Sequence, residues 1–462
     1  MAKQLNNPIG EPSYFFTEPW EPVTVRRGDA LGLGALADQF ADAVAPGFSN
    51  RIRDSRWVTI LAWCLVKSKL VFDASASGGK SVSTRKEQEE RYAWLEPLEL
   101  MWVARTIALL EKDDWKQRSL AGRRRVAPWY EKQNTERFGM SHQQFRAYRQ
   151  TGTYGGYRRA FRRWPGMTLG NDGWTPGKNS IALAKWLDSK LKGAQLTLGD
   201  ELSRSAKAGR GKEDNWWLNH WKEFDQSGKD ADINTLPRQR TDFSVLPEAA
   251  LLSPIIFGDD PDGKTRVKIA NSIKKSSASE HLELCKHLSA QFSDDPVISR
   301  LYSFSRLADA GIAAMEFIAA ALGDKPAVTL SEVAKSKGAT SICNELNKAA
   351  QAWLKLPSIQ IRHIHAADRF AQEMVSGSAL ECLRSVIEYH KLYGGGLRWF
   401  DIQDGKVLPL TLPLTGRATR YGFRLWSLCR IAAQCGVIKK MPAALALYEE
   451  PEDSVEEDDD DN

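Results

Sequence analysis

Four long stretches in the second half of the chain, Ser279–Phe292, Val297–Leu322, Leu330–Leu354 and Ala366–Tyr393, carry apolar residues at helical spacing. A period near 3.6 over such lengths gathers the apolar side chains into one stripe that packs against other helices, and it is incompatible with the alternating faces of a strand. Shorter patterns of the same kind run over Ala30–Ala45, about Ile52–Val71, Arg85–Leu110 and Ile181–Leu191. A last one, Tyr421–Gln434, stops at Cys435-Gly436, as a glycine C-cap requires. Only Leu397–Ile402 and Lys406–Leu410 read as strands, and they flank Asp404-Gly405, a two-residue hairpin turn. The spacing therefore predicts a mainly α fold: two helical lobes, a small β-hairpin near 398–410, and helix-turn-helix or winged-helix-like elements.

Composition shifts divide the chain. Residues 1–115 read as an N-terminal arm, rich in Pro and aromatics (Pro8, Tyr14, Phe15, Phe16, Trp20), followed by helices. A basic-aromatic region covers 116–224, and 225–248, with Gly228, Asp230, Asp232 and Pro237, has the character of a linker. The C-terminal helical lobe with the hairpin takes 249–448, and 449–462 is an acidic tail expected to be disordered, since like charges repel and nothing apolar can pack.

Charge is the strongest functional signal. The net charge is +6, yet Glu449–Asn462 holds ten carboxylates and no base, which leaves the rest of the chain at +16. Lys116–Arg163 alone holds thirteen Lys or Arg against Glu131 and Glu136. A body so basic attracts polyanions, and nucleic acid is the expected one. Arg123, Arg124, Arg125, Arg158, Arg159, Arg162 and Arg163 have the bidentate fork that matches phosphate, and Arg146 and Arg149 share a helix face. Tyr154 and Tyr157, expected to stack on or position nucleic acid, flank Gly155-Gly156, where a nucleic-acid backbone could come close or the chain simply turn. A helix at Ser141–Gln150, a break at Thr151-Gly152 and a helix from about Tyr157 to Trp164 outline a helix-turn-helix. The competing readings are docking to an acidic protein, or a solvated helix face with its aromatics in the core. The tail would then be either a phosphate mimic on this surface or a solubility device.

Other candidate chemistry reads as structural. Ala74-Ser-Ala-Ser-Gly-Gly-Lys80-Ser81 fits a loose phosphate-loop pattern, but Ala replaces its first glycine and a helical pattern precedes it where a strand is needed. His363, His365 and Asp368 could hold a cation, as could His281, Cys285 and His287, but neighbouring arginines or the lack of a second ligand pair weaken both. Asp259, Asp260 and Asp262 are explained by turn geometry. No cofactor and no metal site is assigned. The six cysteines are scattered without a CxxC pair, as in a reducing cytoplasm, and no apolar run is long enough to span a membrane.

Leu31-Gly32-Leu33, Pro46-Gly47-Phe48, Arg51-Ile-Arg-Asp-Ser-Arg-Trp57, Thr153-Tyr-Gly-Gly-Tyr-Arg158, Gly396-Leu-Arg-Trp-Phe400 and Tyr421-Gly-Phe-Arg-Leu425 resemble segments of bacterial proteins encoded among helicases and nucleases in anti-phage defence islands. They cover well under a quarter of the chain and include no catalytic signature. The resemblance implies one subunit of a multi-protein system acting against foreign DNA, with partners such as a helicase or nuclease. The expected function is a cytoplasmic, non-catalytic DNA-binding or adaptor subunit. The alternatives are a divergent metal-dependent nuclease and a scaffold that binds no nucleic acid.

Overall fold

The computed structural model describes residues 29–75, 85–109, 152–191, 244–323, 325–395, 398–410 and 421–446. Outside them lie the aromatic arm, Arg123, Arg124, Arg125, Arg146, Arg149, the segment 141–150 expected to be helical, the glycine-lysine motif after residue 75, the aromatic cluster Trp216–Phe224 and the acidic tail. The described part is mainly α, with fifteen α-helices, two short 3₁₀ turns at 169–171 and 298–300, and one small sheet.

In the first half, α1 (Gly34–Val44), α2 (Arg56–Ser75) and α3 (Arg85–Leu109) precede α4 (Thr153–Arg163) and α5 (Lys178–Lys190). α2 packs on both α3 and α5. The N-terminus of α1 is satisfied by Asp29, whose carboxylate accepts the Leu33 and Gly34 amides at 3.0 and 2.5 Å, a carboxylate placed where the helix dipole favours it.

The second half runs α6 (Ala249–Ile256), α7 (Pro261–Lys275), α8 (His281–Gln291) and α9 (Leu301–Leu322). After β1 (Val328–Thr329) come α10 (Leu330–Lys335), α11 (Ala339–Leu354), α12 (Ile364–Met374) and α13 (Ala379–Tyr393). The hairpin β2 (Phe400–Gln403) and β3 (Lys406–Pro409) leads to α14 (Leu425–Gln434) and α15 (Ala443–Ala446). Two patterns that read as single helices are broken. Gly338, at φ +100°, separates α10 from α11, and Ser378 caps a new helix by accepting the Glu381 amide at 3.2 Å. A periodicity count passes over such breaks because apolar spacing resumes in phase beyond them.

The hairpin forms as its turn chemistry requires, with Asp404 at φ +51° and Gly405 at +74°. Its third strand was not legible. β1 is two residues long and pairs with β3, Val328 opposite Val407, giving the order β1-β3-β2.

One continuous apolar cluster runs from Ala30 to Leu445 and joins the two halves of the chain. Leu246 and Glu248, at the end of the segment with linker composition, are buried within it, and the Leu246 amide donates to the Gln434 carbonyl at 2.9 Å. None of the described helices is long and apolar enough to cross a membrane.

Candidate nucleic-acid interface

α4 carries six of the eleven residues that the sequence singles out. It begins at Thr153, before the expected start, so Gly155-Gly156 lies inside the helix instead of forming a turn. The missing side chain still has a purpose. A Cβ on Gly156 would stand 2.9 Å from the Arg51 side chain, and Ser49 Oγ donates to the Gly156 carbonyl at 2.6 Å, so the 49–53 loop lies directly on the helix.

Tyr154, Tyr157, Ala160 and Phe161 fall on the inner face and are buried. This corrects the expectation that the two tyrosines stack on or position nucleic acid. Tyr157 Oη accepts the Arg53 and Asp54 amides at 3.2 and 3.0 Å and donates to the Asp54 carbonyl at 2.9 Å. Tyr154 donates its hydroxyl proton to the Gly173 carbonyl, and its own amide donates to the Glu99 carboxylate at 2.7 Å. Glu99, itself fully buried, also accepts from Tyr92 Oη at 2.7 Å. Burial pushes both phenols well above the ordinary tyrosine range, so they stay protonated donors. Apolar ring plus satisfied hydroxyl is what an interior requires of tyrosine, and it fixes the rotation of α4.

The arginines occupy the opposite face, with different degrees of freedom. Arg158 is half-buried: its guanidinium lies 4.7 Å from the centre of the Trp174 ring and donates to the Gln88 side chain at 3.3 Å. Arg159 is ion-paired with Asp42. Arg163 is exposed and reaches Asp262, at the start of α7, at 2.8 Å. Arg162 is exposed beside it. The structure thus brings Arg159, Arg162 and Arg163 to one surface and gives Arg158 a packing role.

Buried charge around α4 went unnoticed in the sequence because the partners are far apart along it. Arg424 bonds Asp38 at 2.7 Å and Asn50 Oδ1 at 3.1 Å and pairs with Asp42, so Asp42 sits between Arg159 and Arg424. Arg266 of α7 lies 5.9 Å from the Trp164 ring and donates to the Ile256 and Pro46 carbonyls at 2.5 and 2.6 Å; burial holds its pKa down to about 10.

The candidate ligand clusters are engaged locally. Asp368 accepts from Trp353 Nε1 at 2.9 Å, and His363 stands at φ +61° immediately before α12. His281 Nδ1 lies 3.8 Å from Cys285 Sγ, and His287 Nε2 is 3.1 Å from both the hydroxyl and the carbonyl of Ser272. Asp260 caps α7 by accepting the Gly263 amide at 3.0 Å. No group of three His, Cys, Asp or Glu is placed to hold a metal ion among the described residues. The helix α2 runs up to Ser75, where a phosphate loop needs a buried strand.

No protein-family model, curated protein or solved structure matches the chain.

Proposed function

We propose that the protein is a non-catalytic DNA-binding or adaptor subunit of a multi-protein bacterial anti-phage defence system. The observation that carries this reading is the arrangement of α4. Its buried face fixes the helix, and Arg162 and Arg163 stand exposed on the opposite face at the end of a segment with thirteen basic residues. Rigidly presented guanidinium groups capture phosphates without reading bases, which suits an adaptor that delivers DNA to a separate motor or nuclease. The defence context is supported by the sequence resemblance.

The test is binding of labelled single- and double-stranded DNA at low and moderate salt, with magnesium present and cleavage monitored in the same samples. The parent protein is expected to bind in a salt-sensitive manner without cutting. Replacing Arg162 and Arg163 with alanine is expected to weaken binding about tenfold and to lower the log–log salt slope by about 0.9 for each lost phosphate contact. Cleavage would put the nuclease reading first.

The ion pairs of Arg159 with Asp42 and Arg163 with Asp262 favour a second reading, a scaffold whose arginines hold protein surfaces together. Absence of DNA binding at low salt would select it.

A further inference from the structure

Among the described residues, α7 carries a row of exposed cations. Its inward face is Gly263, Arg266, Ile269, Ala270 and Ile273, all buried. At 100° per residue, Lys264, Lys268 and Lys275 fall within about 40° of one another on the opposite side, spread over about 16 Å of helix. All three are exposed, as is Lys274 at the flank. None of the four forms an ion pair or hydrogen bond with a described residue. The nearest carboxylates on the same helix are occupied, Asp260 by the Gly263 amide and Asp262 by Arg163.

That last pair also places the lysine stripe. Arg163 at the end of α4 bonds Asp262 at the start of α7, and Trp164, the next residue, lies over the buried Arg266 guanidinium. The exposed end of α4 is therefore held against the beginning of α7, two residues before Lys264.

We infer that α7 supplies a second phosphate-contacting face, in which Lys264, Lys268 and Lys275 follow the DNA backbone away from the α4 arginines. This rests on the DNA-binding reading above. A row of like charges is complementary to a polyanion, and long ammonium side chains on a rigid helix form contacts that carry no base information. The two faces divide the work: α4 is pinned through ion pairs and buried tyrosines, whereas the α7 lysines are exposed and free to exchange hydration for phosphate.

Four forms of the protein test this on a double-stranded DNA probe across a salt series: the parent, Lys264→Ala/Lys268→Ala/Lys275→Ala, the same three positions changed to Arg, and Arg162→Ala/Arg163→Ala. Because the lysine side chains are exposed, both lysine variants should melt like the parent. The alanine variant is expected to lose about tenfold or more in affinity and up to about 2.7 units of log–log salt slope, and the arginine variant to retain both. If the alanine variant binds like the parent while Arg162→Ala/Arg163→Ala loses binding, the α7 face is refuted and the DNA-binding reading stands. If the parent itself binds no DNA at low salt, both fall together.

Discussion

Arg56 and Glu248, 192 residues apart, meet as a two-pronged ion pair in the core, with side chains only 1% and 0% exposed. The Nη2–Oε2 arm measures 3.0 Å, and the Nε–Oε1 arm completes the fork. Burial raises the Glu248 pKa while Arg56 opposes that rise. Nearby, Arg430 pairs with Asp54 at 3.4 Å, and Gln434 Oε1 accepts from the Ser55 amide and hydroxyl at 2.8 and 2.7 Å. Residues 54–56 are thereby tied to the beginning of α6 and the end of α14. Removing one partner leaves the other charge buried, so Glu248→Ala is expected to cost about 3–5 kcal/mol by urea unfolding. An Arg56→Met/Glu248→Leu double variant should recover most of that loss; if it is no better than the single variant, the pair holds more than its own charges.

The tyrosines of α4 separate structure from binding. Tyr157→Phe deletes a hydroxyl that serves two amides and a carbonyl, and is expected to cost about 1–3 kcal/mol in stability. The DNA affinity of the folded fraction should not change. A selective loss of affinity with unchanged melting would show that the ring reaches the ligand after all.

His390 predicts a pH dependence. One ring nitrogen, Nδ1, faces the Ala30 carbonyl at 2.8 Å, and the other, Nε2, accepts the Trp399 amide at 2.9 Å. A carbonyl only accepts and an amide N–H only donates, so the ring is neutral with its proton on Nδ1. Burial, chiefly, lowers its pKa below 6.5, with Arg398 adding to the effect and the Ala30 bond opposing it. The unfolded chain then takes up the proton first, so the stability this ring contributes is present above pH 6.5 and falls as pH drops below that value. Melting curves at about pH 7.5 and about pH 5.5 should show a larger acid-side loss for the parent than for His390→Asn. Equal losses would remove His390 as the cause.

Gly47 is predicted to resist substitution. It sits at φ +81°, and a Cβ there would approach the Trp164 indole at 2.8 and 2.9 Å. The left-handed backbone and the clash together should make Gly47→Ala cost about 2–4 kcal/mol. Gly170, at φ +57° with nothing within 4 Å of its virtual Cβ, supplies the control at about 1–2 kcal/mol. Equal costs at the two sites would show that Trp164 yields freely.

Several short segments far apart in the sequence meet in space. Gly32 lies against the Tyr393 carbonyl, Tyr421 Oη donates to Asp29 at 2.7 Å, Gly47 faces Trp164, the Arg51 side chain covers Gly156, and Tyr157 closes on Asp54. Their glycines, tyrosines and arginines thus read as joints of the core.

Helical periodicity, the Asp404-Gly405 turn and the charge of 116–163 are local properties, so the amino-acid sequence alone determined the mainly α class, the hairpin and the basic character of the chain. Partnership is not local. Whether Arg159 faces solvent or Asp42, whether Tyr157 meets a base or the Asp54 backbone, and whether Glu248 ends a linker or enters the core depend on residues about a hundred or more positions away. Only tertiary structure decided those, because burial makes an unpaired charge or hydroxyl costly and so selects the packing that supplies each with a partner. By the same physics the arginines of α4 are largely engaged within the protein, whereas the lysines of α7, whose spacing is plain in the sequence, owe their exposure to the packed molecule.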